Sequence, residues 1–190
     1  RVQHADLLFS DAAIFVEGTA ERMVIPLFME RDFPVLGRKY VSLLDIGGSH
    51  AHRLRPLVER LGIPTAVVTD LDPVIPRITE KGRTVRAAVH IAGQADLECG
   101  NDTLTSWHPK LTNFEAFAAP SAAELEWASE TGVKVRFAWQ VPVVAASNQW
   151  PSSFEDSLVL SNIAWFKSLD TKVDPLTGAP ARPRGALGKV

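Results

Sequence analysis

Cysteine is almost absent from this chain of 190 residues, since Cys99 is the only one. A single cysteine excludes an intrachain disulfide and a cysteine-based metal site. Such sparse use of cysteine is typical of proteins that work in the reducing cytoplasm. We therefore expect a cytoplasmic protein whose stability comes from a hydrophobic core, and the 46% of hydrophobic residues are enough to build one.

Long apolar runs are also missing. No stretch of about 18 apolar residues occurs, so we expect no membrane span. No basic segment followed by an apolar one opens the chain, so we expect no secretion signal. Because the first residue is Arg1, we expect a fragment of a longer protein. The net charge of -2 decides little about nucleic acid, since acidic metal ligands can offset basic residues that hold phosphates.

Strand and helix patterns alternate through the first half of the chain. Short apolar runs predict strands, and apolar residues at helical spacing predict helices between them. The predicted strands span 11–17, 39–46 and 64–69, and the predicted helices span 20–31 and 50–61. Strands joined by helices predict an α/β fold with a central parallel sheet and right-handed crossovers.

The remainder of the chain is less regular. We expect turn structure over 74–86, a loop over 99–113, a short helix over 121–130 and a strand over 133–145. This arrangement predicts a sheet domain over residues 1–150. A helix over 151–169 and a linker with the start of a helical element over 170–190 would form a partial appendage.

Four carboxylates follow predicted strands. Glu17 ends the first strand and Glu21 lies four residues later, in the first turn of the next helix. Asp70 and Asp72 follow the third strand, and residues two apart in a strand point to the same side. Ligands of parallel sheets bind beyond the carboxyl ends of the strands. We therefore expect these four side chains to converge at one edge.

Carboxylates gathered in this way repel one another unless cations neutralise them. Hard oxygen ligands suit Mg²⁺ or Mn²⁺ better than zinc. Two such ions about 4 Å apart can stabilise the attacking and leaving oxygens of a phosphoryl displacement. The sequence thus predicts a site for two divalent ions, either Mg²⁺ or Mn²⁺.

The spacing E-G-x-x-E at Glu17–Glu21, followed by D-x-D at Asp70–Asp72, resembles the Toprim domain of topoisomerases, primases and nucleases. The segments FVEGTAE, DIGG, VVTDLDP, NDTLTSWHP and SFEDSLVLSN are similar to the OLD (overcoming lysogenization defect) nucleases. This resemblance covers roughly residues 11–162. It implies a Toprim, Rossmann-like sheet over 1–150 and a bacterial or phage enzyme that cuts DNA, with phage defence and DNA repair as possible roles.

The resemblance also implies roles for single residues. Glu17 corresponds to a glutamate that binds metal or exchanges protons, and the other metal ligands would be Glu21, Asp70, Asp72 and Glu155. OLD nucleases use a lysine after the last helix to stabilise the transition state, for which Lys189 is the first candidate and Lys172 the second. They often carry an arginine where this chain has Ser152. They also join the nuclease to an N-terminal ABC-type ATPase, and no Walker A pattern occurs here.

Basic residues follow the D-x-D motif directly, so we expect DNA contacts there. These residues are Arg77, Lys81, Arg83 and Arg86. The alternative is an ordinary solvated surface.

Other functions stay open at this point. The second hypothesis is a D-x-D phosphatase, which would need a nucleophilic aspartate at the end of the first strand, where this chain has Glu17. The third hypothesis is a non-catalytic Toprim module that serves an ATPase. The only tyrosine, Tyr40, lies at a strand start, which disfavours topoisomerase chemistry. His50 and His52 do not face one point at their spacing, which disfavours a zinc site.

Overall fold

The computed structural model of the chain describes residues 5–91 and 95–169. The chain divides into two compact units, Arg1–Trp139 and Gln140–Val190. The linker predicted over 170–190 lies outside the described residues. In the described part of the chain, no helix is both long and apolar enough to cross a membrane.

The strands of the first unit form two sheets. In chain order they are β1 (Ala12–Val16), β2 (Val41–Asp45), β3 (Thr65–Val68), β4 (Pro73–Ile78), β5 (Thr84–Ala88), β6 (Glu98–Cys99), β7 (Glu126–Ala128) and β8 (Lys134–Ala138). The central sheet has the order β2-β1-β3-β8-β7. Its first four strands are parallel, and β7 pairs antiparallel with β8. The predicted α/β fold with a mostly parallel sheet flanked by helices is confirmed.

Helices connect the parallel strands, as the predicted crossovers require. They are α1 (Thr19–Asp32), α2 (Arg55–Leu61), α3 (Asp102–Ser106) and α4 (Ala122–Leu125). Pro26 lies inside α1 without ending it. A 3-10 turn over Ala51–Leu54 precedes α2, and Gly62 ends α2 in the left-handed conformation at φ 70°.

The core of this unit is built on the central sheet. Phe15, Val67 and Val135 are fully buried, at 0% exposure. Trp107, which follows α3, packs edge-on against Phe137 of β8 with ring centroids 5.2 Å apart. Burial of these large side chains fixes the parallel strands and α3 against each other.

The second sheet corrects one sequence prediction. Turn structure over 74–86 is wrong, because β4 and β5 form an antiparallel hairpin there and β6 pairs with β4 on its other side. A backbone hydrogen bond closes the turn, with the Thr79 N–H donating to the Arg83 carbonyl oxygen at 2.8 Å. Gly82 lies in this turn with a left-handed φ of 69°. The β-branched residues on both sides of this turn are the sequence signal from which a hairpin could have been predicted.

Two other segments differ from prediction. The loop predicted over 99–113 contains α3, which Asn101 caps. The helix predicted over 121–130 stops at Leu125, because the next residues pair with β8 as strand β7. Edge pairing with a long strand therefore overrides helix propensity at that point.

The described part of the second unit contains α5 (Phe154–Ser161) and α6 (Ile163–Leu169). Ser153 caps α5, with its hydroxyl accepting from the Asp156 N–H at 3.3 Å. The single helix predicted over 151–169 is broken at Asn162, whose φ of -119° and ψ of 27° end α5.

Candidate functional site

The carboxyl ends of β1 and β3 bring the first acidic residues together. These strands are parallel neighbours, with Phe15 opposite Val67. The residues that follow them, Glu17 and the pair Thr69–Asp70, therefore leave the sheet at the same edge. The turn after β2 lies there too, since the Gly48 N–H donates to the Glu17 carbonyl oxygen at 3.1 Å.

The carboxylate of Glu17 is held through one of its oxygens. Oε1 accepts a hydrogen bond from the Thr69 hydroxyl, one from the Asp70 N–H at 3.2 Å and one from the Asn101 amide at 2.9 Å. Three donors on one oxygen fix the side chain and leave Oε2 as the atom with which Glu17 would meet a ligand.

Asn101 is the buried centre of this network. Its exposure is 0%, and its Nδ2 also donates to Thr69 Oγ1 at 2.8 Å and to the Asp70 carbonyl oxygen at 2.6 Å. Its Oδ1 caps α3 by accepting from the Thr103 and Leu104 N–H groups. Sequence reasoning missed Asn101, although an asparagine before an aspartate-led helical turn is a recognisable N-cap signal.

Asp72 lies beside the network because of a close backbone approach. The Gly100 N–H donates to the Asp72 carbonyl oxygen at 2.8 Å. Asp72 adopts a left-handed φ of 50°, which aspartate tolerates better than most residues. This contact also places Asp102, the first residue of α3, near Asp72, and Asp102 is an acidic residue that sequence reasoning missed.

The electrostatics reflect crowded negative charge. Burial raises the pKa of the Glu17 carboxyl, and the nearby charge of Asp72 adds to the rise, while the bonds from Thr69, Asn101 and Asp70 oppose it. Loss of hydration likewise raises the pKa of Asp72, with a further contribution from Asp102. Ion pairs within the described residues involve neither Glu17, Asp72 nor Asp102.

Glu21 lies on the first turn of α1, next to this edge. It is buried, at 5% exposure. Its Oε2 would be 3.4 Å from a Cβ at Gly18, an ordinary contact distance, so the carboxylate lies close to the residue that precedes the helix. A carboxylate is favoured at that position by the helix dipole.

The other predicted site residues lie elsewhere. Glu155 is exposed on the first turn of α5, in the second unit. Lys189 and Lys172 lie outside the described residues. The basic residues Arg77, Lys81, Arg83 and Arg86 are exposed on the β4–β5 hairpin.

A preformed metal cluster is not found in residues 5–91 and 95–169. Among these, no group of three or more histidine, cysteine, aspartate or glutamate side chains is arranged to hold an ion. The acidic residues of the first unit therefore share an edge without converging on one point, and their role as metal ligands stays a prediction.

A known family matches the part of the chain that carries the acidic edge. A family model described as "Overcoming lysogenization defect protein-like, TOPRIM domain" matches residues 8–72. Residues 8–72 are therefore similar to the Toprim module of the OLD family. The matched segment runs from before β1 to the D-x-D motif, so it includes Glu17, Glu21, Asp70 and Asp72. The resemblance inferred from the motifs is confirmed.

A curated relative extends the similarity beyond the Toprim segment. Endonuclease GajA of Bacillus cereus (strain HuB5-5) is 26% identical to this chain over 158 residues. The match covers 83% of this chain and 21% of the relative, so the chain spans about a fifth of the length of the curated relative it matches. No solved structure matches the chain.

Proposed function

We propose that this Toprim module is the catalytic part of a metal-dependent endonuclease that hydrolyses phosphodiester bonds in DNA. The observation that supports this proposal most directly is that three hydrogen bonds hold the Glu17 carboxylate at the sheet edge where Asp72 also lies. Burial raises the pKa of both carboxyls and a neighbouring acidic charge adds to the rise, so a bound cation would favour their ionised forms. The printed name of the relative, an endonuclease, supports the same reaction.

The donor set fits divalent cations of the hard class. Every proposed ligand presents carboxylate oxygen, which suits Mg²⁺ or Mn²⁺. In the proposal two ions are held by Glu17, Glu21, Asp70, Asp72 and Glu155, the last on the strength of the family resemblance. Because the described side chains do not already form a cluster, the carboxylates would have to close around the ions.

Bound divalent ions would supply positive charge for the phosphate oxygens and make a bound water more acidic. The chain's own residues prepare for that chemistry. Thr69 and Asn101 fix Oε1 of Glu17, so Oε2 keeps one direction. Asp72 is the second aspartate of the D-x-D motif. Its position is set by its left-handed backbone conformation and by the hydrogen bond that the Gly100 N–H donates to its carbonyl oxygen.

The β4–β5 hairpin is the proposed DNA contact. Residues 73–88 carry four basic side chains and one acidic side chain, a net charge of +3 in a chain whose total is -2. Because Pro76 pairs with Arg86 while Arg77 pairs with Val85, Arg77 and Arg86 project from opposite faces. A two-stranded ribbon that enters a DNA groove presents both faces to phosphates.

The proposal includes an ATPase partner. OLD proteins join their nuclease to an N-terminal ABC-type ATPase, and a match that covers only 21% of the relative leaves room for such a domain. Lys189 is the first candidate for the lysine that neutralises charge in the transition state, and Lys172 is the second.

Plasmid cleavage by the full-length protein tests the function. With Mg²⁺ or Mn²⁺ we expect conversion of supercoiled plasmid, abolished by a chelator. Asp70→Ala and Glu17→Ala should each lower the rate by about 100-fold or more, the scale of losing one preorganised electrostatic group. Glu115→Ala, which removes an exposed glutamate on a 3-10 turn, is the matched control and should cut normally. Equal rates in all variants would overturn the proposal.

A further inference from the structure

We propose that Asn101 is a positioning residue that holds the Glu17 carboxylate in its working orientation; this inference rests on the proposed function. The two residues are 84 positions apart in sequence, and the Asn101 amide reaches Glu17 Oε1 at 2.9 Å. The same nitrogen donates to Thr69 Oγ1, whose hydroxyl in turn donates to Glu17 Oε1. Asn101 therefore acts on Glu17 both directly and through Thr69.

The orientation of the amide is fixed by its other end. Oδ1 accepts from the backbone N–H groups of Thr103 at 2.9 Å and Leu104 at 3.2 Å. Backbone N–H groups can only donate, so the amide oxygen must face α3 and the amide nitrogen must face Glu17. The cap of α3 thus determines which Asn101 atom meets the carboxylate.

Burial makes the arrangement hard to replace. Asn101 is fully buried, and Thr69 is 2% exposed, so solvent does not readily supply the donors if the side chain is shortened. The Nδ2 bond to the Asp70 carbonyl oxygen, at 2.6 Å, ties the backbone of the D-x-D motif to the same residue. One side chain therefore connects the ends of β1 and β3 with the start of α3.

Such outer partners direct how a carboxylate meets a metal ion. Hydrogen bonds to a ligating carboxylate fix its orientation, and their loss typically lowers metal affinity or activity by about 10–100-fold. With Oε1 engaged by Asn101, Thr69 and Asp70, Glu17 offers Oε2 in a single direction. Without Asn101, the carboxylate would keep its charge and lose this direction.

The Asn101→Ser variant separates positioning from helix capping. Serine is a good N-cap residue and can keep accepting from the first turn of α3, while its shorter side chain does not span the distance to Glu17. Asn101→Asp keeps the capping oxygen and replaces the donor by an acceptor. Asn113→Ser is the matched control, because Asn113 caps a neighbouring 3-10 turn through Ala116 N–H at an exposed position.

The experiment measures Mn²⁺ binding without DNA, plasmid cleavage and the crystal structure of Asn101→Ser in the full-length protein. We expect Mn²⁺ affinity lower by about 10–100-fold, a fall in kcat with little change in KM, and Glu17 displaced from Thr69. Asn113→Ser should match the wild type. If the serine variant does not fold, the same three measurements are made on Asn101→Asp, for which we expect the same losses.

Failure of the positioning role and failure of the nuclease function give different results. If the wild type and Asn101→Ser bind Mn²⁺ and cleave equally while Glu17→Ala is inactive, the positioning role is overturned and the nuclease stands. If the wild type does not cleave at all, the proposed function falls. In that case an undisplaced Glu17 in the variant crystal structure overturns the positioning role as well.

Discussion

Gly100 lies directly against the backbone of Asp72. A Cβ at Gly100 would stand 2.5 Å from the Asp72 carbonyl oxygen and 2.7 Å from Val74 Cγ1, distances that no folded protein accommodates without movement. The residue after Gly100 is Asn101, which holds Glu17. This glycine therefore joins two parts of the candidate site, the D-x-D motif and the network around Glu17.

Gly100→Ala should disturb the site more than the fold. The added methyl group must push the Asp72 backbone or the start of α3, and overpacking of this kind costs about 1–3 kcal/mol. We expect a lower melting temperature, measured by calorimetry, and a loss of plasmid cleavage larger than the loss of folded protein explains. Gly37→Ala is the control, since nothing lies within 4 Å of a Cβ there. Normal cleavage by Gly100→Ala would contradict this account of Asp72.

Glu17→Gln should stabilise the metal-free protein at neutral pH. Burial and the charge of Asp72 raise the pKa of Glu17 in the folded state, so the native state binds more protons than the unfolded chain above pH 4.5, the ordinary carboxyl value. Stability from this group is present at low pH and is lost as pH rises through the folded pKa. Glutamine keeps an acceptor for the three donors without the charge.

Thermal unfolding in a chelator between pH 4.5 and 7.5 checks this prediction. The wild type should lose stability toward neutral pH more steeply than Glu17→Gln, and the two melting temperatures should approach each other near pH 4.5. Each ~1 kcal/mol corresponds to about 2–4 °C in a protein of this length. Glu115→Gln, at an exposed site, should follow the wild-type curve. A Glu17→Gln variant less stable than the wild type at pH 7.5 would refute the electrostatic account.

Arg77→Ala and Arg83→Ala should weaken DNA binding at every sequence alike. Loss of one phosphate contact lowers the slope of log affinity against log salt by about 1. Arg86→Ala should have a smaller effect, because Arg86 already faces Glu98 at 3.7 Å. Fluorescence anisotropy across a salt series measures these slopes, with Arg60→Ala, an exposed cation of α2, as control. Unchanged slopes in the hairpin variants would exclude the hairpin as the contact.

Cys99 should be unreactive in the folded protein. Burial raises the pKa of its thiol to about 12, and the residue is fully buried. Thiol reagents attack the thiolate, so at pH 8 we expect modification only after unfolding in guanidinium. Titration with a chromogenic disulfide in native and denaturing buffer measures the difference. Rapid labelling of the native protein would show that the β6 region opens readily.

Sequence patterns were sufficient for the parallel strands β1, β2 and β3 of the central sheet and for the edge at which Glu17 and Asp70 follow them. Short apolar runs indicated β1, β2 and β3, and the alternation of strands with helices predicted the parallel pairing that these strands have. Glu17 and Asp70 could be placed together because parallel strands end at one edge. These features depend on local periodicity and on topology rules, which a single sequence displays.

Long-range contacts could not be foreseen in the same way. Asn101 meets Glu17 from 84 positions away in sequence, next to the close approach of Gly100 to Asp72, and neither contact leaves a periodic signal. The β4–β5 hairpin escaped prediction because its strands are largely exposed and lack the apolar–polar alternation of a half-buried sheet. The break at Asn162 likewise depends on a backbone conformation rather than on an obvious helix breaker such as proline.

Crystals of the full-length protein grown with Mn²⁺ test the central claim most directly, through the anomalous signal of the metal. We predict Mn²⁺ at the edge formed by β1 and β3, about 2.0–2.5 Å from carboxylate oxygens of Glu17 and of Asp70 or Asp72. Crystals that contain Mn²⁺ at concentrations supporting cleavage, yet show none of it beside these residues, would contradict the account.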